Sequence, residues 1–226
     1  MILPVIVFYI IFSYLPMYGA IIAFEDFKPQ LGILGSPWVG LKHFRSFFES
    51  PSFLSILGNT FRLSLSSLVF GFPAPILLAL LLNELHNEKF AKVVQNFTYM
   101  PHFISTVVIC GLIVNFSLST GLFSDILVLF GGQRISFLQD SRYFRTIYVA
   151  SGIWQSVGWS SIIYLSAITS IDASLYEAAV IDGANKRQQI FHVTIPCISS
   201  TIIIMLILRL GSILGVGYEK IILLYS

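Results

Sequence analysis

The densest chemistry in this sequence lies between Asp172 and Pro196, Asp-Ala-Ser-Leu-Tyr-Glu-Ala-Ala-Val-Ile-Asp-Gly-Ala-Asn-Lys-Arg-Gln-Gln-Ile-Phe-His-Val-Thr-Ile-Pro. Ser174 followed three residues on by Glu177 has the spacing of a capping box, in which the hydroxyl accepts an amide proton and the carboxylate returns to the cap's own amide. That spacing predicts a helix from Leu175, ended by Gly183 in the left-handed conformation, with Asn185 capping a second helix. Ala178 and Ala179 leave the first helix's surface low, and Tyr176, Val180 and Ile181 supply apolar contact. Such an elbow is either a plain connection between packed helices or a docking knob that transmits a push. A second group is ionisable: Arg209, Tyr218, Glu219 and Lys220 flank Gly211, Gly215 and Gly217 in an apolar run, and ionisable groups at membrane depth face water or the bundle interior. Catalysis finds no such pattern. Cys110 and Cys197 sit in apolar runs without ligand spacing and read as small buried hydrophobes, and neither His102 nor His192 has a carboxylate or second histidine at ligand spacing. No catalytic residue, metal or cofactor bound by this chain is expected, since no Gly-rich loop ends in Gly-Lys-Ser/Thr.

The elements that hold these residues are membrane helices. Of 226 residues 56% are hydrophobic and 11% charged, and a mean hydropathy of +0.84 is far beyond what a soluble domain could hide. The net charge of +2, spread along the chain, offers no basic stripe for nucleic acid. A crossing helix needs roughly 20 apolar residues. The uncharged runs place five spans at about 1–24, 63–83, 99–118, 146–171 and 190–225, the third beginning at interfacial Tyr99, Pro101 and His102. The first run lacks a basic start and a cleavage site, so it reads as a retained span, with a few native residues absent ahead of Met1 as another reading of the missing basic flank. Pro73 and Pro75 predict a kink in the second. The fifth is too long for one straight crossing. Its glycines predict either a break lining a wet cavity or a small-residue contact with another helix.

Glu25 to Arg62 reads as a structured loop whose Leu41 to Phe48 stretch alternates aromatic and basic residues as an interfacial helix would. Asn83 to Phe97 reads as a short polar turn. Counted over alternate loops, Lys and Arg number seven on the side of the first loop and four on the other, which would put the amino terminus outside.

The elbow also carries a resemblance. Glu177-Ala-Ala, three residues, Gly183, nine residues and Val193-x-Ile195-Pro196 resembles the cytoplasmic loop of ABC importer permeases, with Val and Ile standing where the family pattern has Ile and Leu. Leu15-Pro-Met-Tyr-Gly19, Trp38-Val-Gly-Leu-Lys-His-Phe44, Phe70-Gly-Phe-Pro-Ala-Pro75, Leu80-Leu-Leu-Asn-Glu84, Tyr99-Met-Pro-His-Phe103, Trp154-Gln-Ser-Val-Gly-Trp159 and Ile171-Asp-Ala-Ser-Leu-Tyr-Glu177 are similar to its carbohydrate and polysaccharide branch, so the likeness covers nearly the whole chain.

The resemblance implies an all-α polytopic membrane helix bundle, a single permease domain with five spans present and a sixth missing after Ser226, so that the chain reads as partial and not expected to transport alone. It implies a permease subunit of an ATP-driven importer, forming half of the path for a sugar or oligosaccharide. The partners would be a second permease, as a heterodimer, two copies of an ABC ATPase that binds ATP and Mg, an extracytoplasmic solute-binding protein, the sugar, and membrane lipid. The setting would be the bacterial plasma membrane, with loop 172–189 cytoplasmic, against the charge count. Coupling to the ATPase would fall to Ser174, Tyr176, Glu177, Ala178, Ala179, Asp182, Gly183 and Pro196. The substrate path would take Arg209, Tyr218 and Glu219, with Trp154, Gln155 and Trp159 behind them, because sugars stack on aromatic rings and hydrogen-bond to polar groups. Arg209 would suit an acidic saccharide. The rival readings are a secondary-active helix-bundle transporter, which would need inverted repeats the sequence does not show, and an intramembrane enzyme.

Overall fold

Proline and glycine decide where the helices of this chain break. A computed structural model describes residues 2–215 and 217–225; Met1, Val216 and Ser226, which fall at the start of the first span, in the glycine run and at the last position, lie outside the described residues. Contacts group the chain into two compact units, residues 1–59 and 60–226. Among the described residues the secondary structure is helical apart from one isolated bridge, Glu25 with Trp38.

In the first unit, α1 (Leu3–Phe24) is one apolar stretch of 22 residues with none buried. It is not uniform. Pro16 has no N–H and its ring crowds the preceding turn, so the helix widens ahead of it over Ile10–Tyr14, where the Leu15 amide reaches back five residues to the Ile10 carbonyl. The loop that follows is structured, as expected. Phe24 stacks on Trp38 with centroids 5.6 Å apart, the His43 ring meets the Glu25 carbonyl at 3.0 Å, and α2 (Lys42–Phe48) is the expected amphipathic helix.

The second span departs from its expected start. It begins at Phe53, not 63, because Arg62 lies on an exposed face and does not end the helix. Its two parts, α3 (Phe53–Gly71) and α4 (Pro73–Asn83), are interrupted at Phe72 where Pro73 supplies no donor. The stretch expected as a polar turn holds a further helix, α5 (Glu88–Tyr99), because the Asn87 side-chain oxygen Oδ1 accepts from the Lys89 and Phe90 amides at 3.0 and 3.2 Å. The third span is likewise displaced. Ile104 turns extended and Ser105 caps α6 (Thr106–Ser117), which continues after Gly121 as α7 (Leu122–Leu129), so the apolar run is 106–129 and not 99–118.

The fourth span, α8 (Ser141–Thr169), begins five residues before the expected 146, capped by Asp140, whose carboxylate accepts from the Arg142 amide at 2.9 Å. Serines, glycines and Gln155 lower its hydropathy, and it packs against other helices through Val149, Gly158, Ser161, Tyr164 and Ile168. α9 (Ala173–Ile181) and α10 (Lys186–Cys197) follow. α10 widens over Ile190–Thr194 ahead of Pro196, repeating the device of α1. α11 (Ser199–Gly211) then leaves at 63° to α10. That bend at Ile198 was not expected; the break at the glycine run was, and α12 (Tyr218–Leu224) resumes beyond it. Among the described residues, length and composition qualify three stretches as spans, Leu3–Phe24, Phe53–Asn83 and Thr106–Leu129, and the bent pair α10 and α11 as one more; α8, expected as the fourth span, does not qualify, its apolar run being diluted by serines, glycines and Gln155.

Two buried clusters hold the second unit. Ala79 and Leu80 of α4, Tyr164 and Ile168 of α8, and Ile198 form one; Ile109, Cys110 and Ile113 of α6 with Leu224 of α12 form the other. Cys110 is the buried hydrophobe expected, whereas Cys197 is exposed beside the bend.

Candidate functional site

The elbow is built from local signals, with one correction. The Ser174 and Glu177 capping box does not form. Asp172 comes first: its carboxylate accepts from the Ser174 amide at 2.9 Å and starts α9 at Ala173, two residues before Leu175, so Ser174 falls inside the first turn and Glu177 in the exposed middle. The same amide holds the Asp172 carboxyl below the usual carboxylate range.

Gly183 ends α9 at φ +79°, with the Ala184 amide donating to Ala179 and the Gly183 amide to Val180, the paired bonds of a Schellman cap. Asn185 caps α10 in a true capping box with Gln188, at 2.8 and 3.0 Å. The two helices are also tied sideways. The Tyr176 hydroxyl meets the hydroxyl of buried Thr194 at 2.9 Å, and Gln189, buried, donates its amide to the Ala184 carbonyl at 3.0 Å. Below them Ile190, Ile195 and Ile198 pack into the cluster of Tyr164 and Ile168. The elbow is thus rigid and rooted in the bundle.

Its outer face is open. Val180 and Ile181 are 61% and 86% exposed, Ala178 and Asp182 are exposed, Ala179 is half-buried, and Pro196 is exposed on the far side of α10. Between α9 and the end of α4 lies an open cleft of about 510 Å³, lined by Glu84, His86, Tyr176, Glu177, Val180 and Ile181, and spanned by the Lys186 to Glu84 ion pair at 3.5 Å. The cleft presents two carboxylates and an apolar strip.

The residues named for a substrate path separate. A cavity of about 500 Å³ is bounded by Ser67 of α3, Pro75 of α4, a stripe of α8, Met205, Leu208 and Arg209 of α11, and Lys220 of α12. Arg209 and Gln155 line it, although Gln155 also donates its amide to the Ile104 carbonyl at 3.3 Å. Trp154, Trp159, Tyr218 and Glu219 do not line it. Trp159 stacks flat on His102, centroids 4.7 Å apart, and meets Phe103 edge-on, which pins α8 to the turn before α6. Trp154, Tyr218 and Glu219 are exposed.

In their place are residues with a weaker signal. Tyr148, Gly152, Gln155 and Ser156 recur at helical spacing on α8, and Lys220 lies across them, donating to the Tyr148 carbonyl at 3.0 Å with its ammonium 4.7 Å from the ring centre. The sequence did mark Lys220 as ionisable in an apolar run. What it lacked was the rotation of α12, in which Lys220 and Leu224 share the buried face while Tyr218 and Ile222 point out.

The family model described as "binding-protein-dependent transport system inner membrane component" matches residues 71–216. The chain is 48% identical to the polygalacturonan/rhamnogalacturonan transport system permease protein YteP of Bacillus subtilis and 43% identical to protein LplB of the same organism, covering 100% and 99% of this chain and 71% of each relative. Among solved structures it superposes, at a TM-score of 0.92 and 46% identity over 100% of this chain and 76% of the other, on a bacterial ABC transporter involved in import of the acidic polysaccharide alginate. A second structure of a bacterial alginate ABC transporter, in complex with alginate pentasaccharide-bound periplasmic protein, matches at 0.91 and 45% identity over 100% and 75%.

Proposed function

The chain belongs to the family of binding-protein-dependent transport system inner membrane components, and on that premise we propose how its parts work. It is a permease subunit of an ABC importer for sugars or oligosaccharides, a transport subunit and not an enzyme. It forms half of the path, beside a second permease in a heterodimer. Two ABC ATPases carry ATP and Mg, and an extracytoplasmic binding protein delivers the saccharide, as a periplasmic protein accompanies the alginate transporter. Loop 172–189 is cytoplasmic, and the elbow is where the ATPase grips.

The observation that supports the coupling role is the mechanical continuity of the elbow. A knob that is exposed at Val180 and Ile181, tied at Tyr176 to Thr194 and seated through Ile198 in the α4 and α8 cluster cannot be pushed without moving α8 and α11. Glu177 faces the cleft and has no capping duty, so its carboxylate is free to pair with a basic group of the ATPase. Gly183 fixes the angle between the two helices.

The test is reconstitution of the complete importer in liposomes with Glu177→Lys and Gly183→Pro. Both variants are expected to assemble and to hydrolyse ATP, with saccharide uptake per ATP reduced about tenfold or more, the scale of losing a desolvated charge pair. Assembly with wild-type uptake per ATP would remove the coupling role.

A further inference from the structure

Lys220 is the single buried cation among the described residues, 9% exposed, and neither it nor Arg209 forms an ion pair with any carboxylate among them. A charge withdrawn from water without a counter-charge is strongly unfavourable, and such groups in membrane bundles line the pathways of ions or substrates. The Lys220 ammonium has three protons and gives one to the Tyr148 carbonyl. Its remaining donors border the cavity of about 500 Å³, which Arg209 also lines. The Arg209 guanidinium makes no hydrogen bond to the described residues, leaving a planar fork that matches a carboxylate.

A second, independent observation lies beside this pair. An adjoining cavity of about 270 Å³ shares Ser67, Tyr148, Arg209 and Ser212 with the first, and Ser64 lines it. The Ser64 hydroxyl oxygen is buried, the residue being 6% exposed, and has no hydrogen-bond partner. Buried hydroxyls are nearly always satisfied, so an orphan that lines a cavity marks a ligand position. Two cations, a row of serine hydroxyls and the Tyr148 ring describe a ligand that is anionic and rich in hydroxyls. Its size suits a few sugar units at most.

The geometry points to a carboxylate subsite in this chain: Lys220 and Arg209 together bind the acid group of a uronate saccharide on its way through, and Ser64 takes a sugar hydroxyl. Gly152 borders the same device, since a Cβ there would lie 3.3 Å from the Lys220 ammonium, tight enough to crowd it. The subsite rests on the permease reading of the preceding subsection, but not on the elbow.

The experiment uses the complete importer in liposomes and measures ATP-driven uptake of a galacturonate trisaccharide and of its neutral methyl ester. With one binding protein throughout, any change in the acid-to-ester ratio belongs to the permease. Lys220→Met and Arg209→Gln are each expected to lower that ratio about thirtyfold or more, as for truncating one partner of a buried charge pair, and Lys220→Arg to restore it. Should the wild type carry only the acid, rescue of acid uptake by Lys220→Arg is the expected result, and failure of rescue overturns the subsite. An unchanged ratio overturns it too, even where both rates fall, because a purely structural lysine would affect the two compounds alike. A wild-type importer that moves a neutral saccharide on ATP but neither of these compounds overturns the subsite and leaves the permease reading standing. If Lys220→Met does not assemble, Arg209→Gln decides by the same ratio.

Discussion

At the scale of single residues, the elbow is set by caps whose chemistry is local. Asp172, not Ser174, starts α9, because a carboxylate two residues ahead of an amide reaches it with one short side chain. Its carboxyl titrates below the ordinary value near 3.9, so the cap is fully formed above that pH and is lost only as pH falls through the lower folded value. The protection factors of the Ser174 and Leu175 amides against hydrogen exchange, which take out the intrinsic pH dependence of the rate, should therefore hold at neutral pH and fall in strong acid, and Asp172→Ala should show the lowered protection at pH 7. Gly183 needs its φ of +79°. Gly183→Ala places a side chain in the left-handed region at a cost of about 1–2 kcal/mol, which thermal unfolding of the complex in detergent would report as a lower midpoint.

At the scale of elements, proline sets the two widened turns and glycine the closest contact. Pro196 follows the wide turn Ile190–Thr194, which carries the elbow's tie from Thr194 to Tyr176. Pro196→Ala would allow a regular turn, rotating everything before it by about 100° relative to α11. That breaks the tie, and uptake per ATP should fall while membrane insertion is kept; unchanged uptake would mean the wide turn has no mechanical role. Gly158 of α8 lies against the end of α5, where any Cβ would collide with the Thr98 carbonyl. Gly158→Ala should destabilise the bundle by about 1–3 kcal/mol, the range of overpacking, again read from the unfolding midpoint. Neither contact was legible beforehand. The sequence offers Gly158 only as one glycine among sixteen, and its partner is some sixty residues away and on a helix expected to be a turn.

At the scale of the whole molecule, the charge count and the family resemblance give opposite orientations. With Cys197 replaced by serine, Ile181→Cys should react with a membrane-impermeant thiol reagent in inverted vesicles and not in intact cells; labelling from outside would reverse the topology and remove the ATPase from the elbow. The bilayer itself explains how much could be read without coordinates. Five apolar runs had to become helices, since no other open chain satisfies its backbone in lipid, and the elbow followed from Gly183 and Asn185 because caps need only neighbours in sequence. Which face of each helix looks inward was different. Trp159 went to a stack on His102, Tyr218 and Glu219 went outward, and Lys220 went to Tyr148. The Trp159 stack on His102 and the Lys220 bond to Tyr148 are contacts between helices far apart in the chain. Rotation about a helix axis is decided by such contacts, and in a run apolar on every side no periodicity announces it.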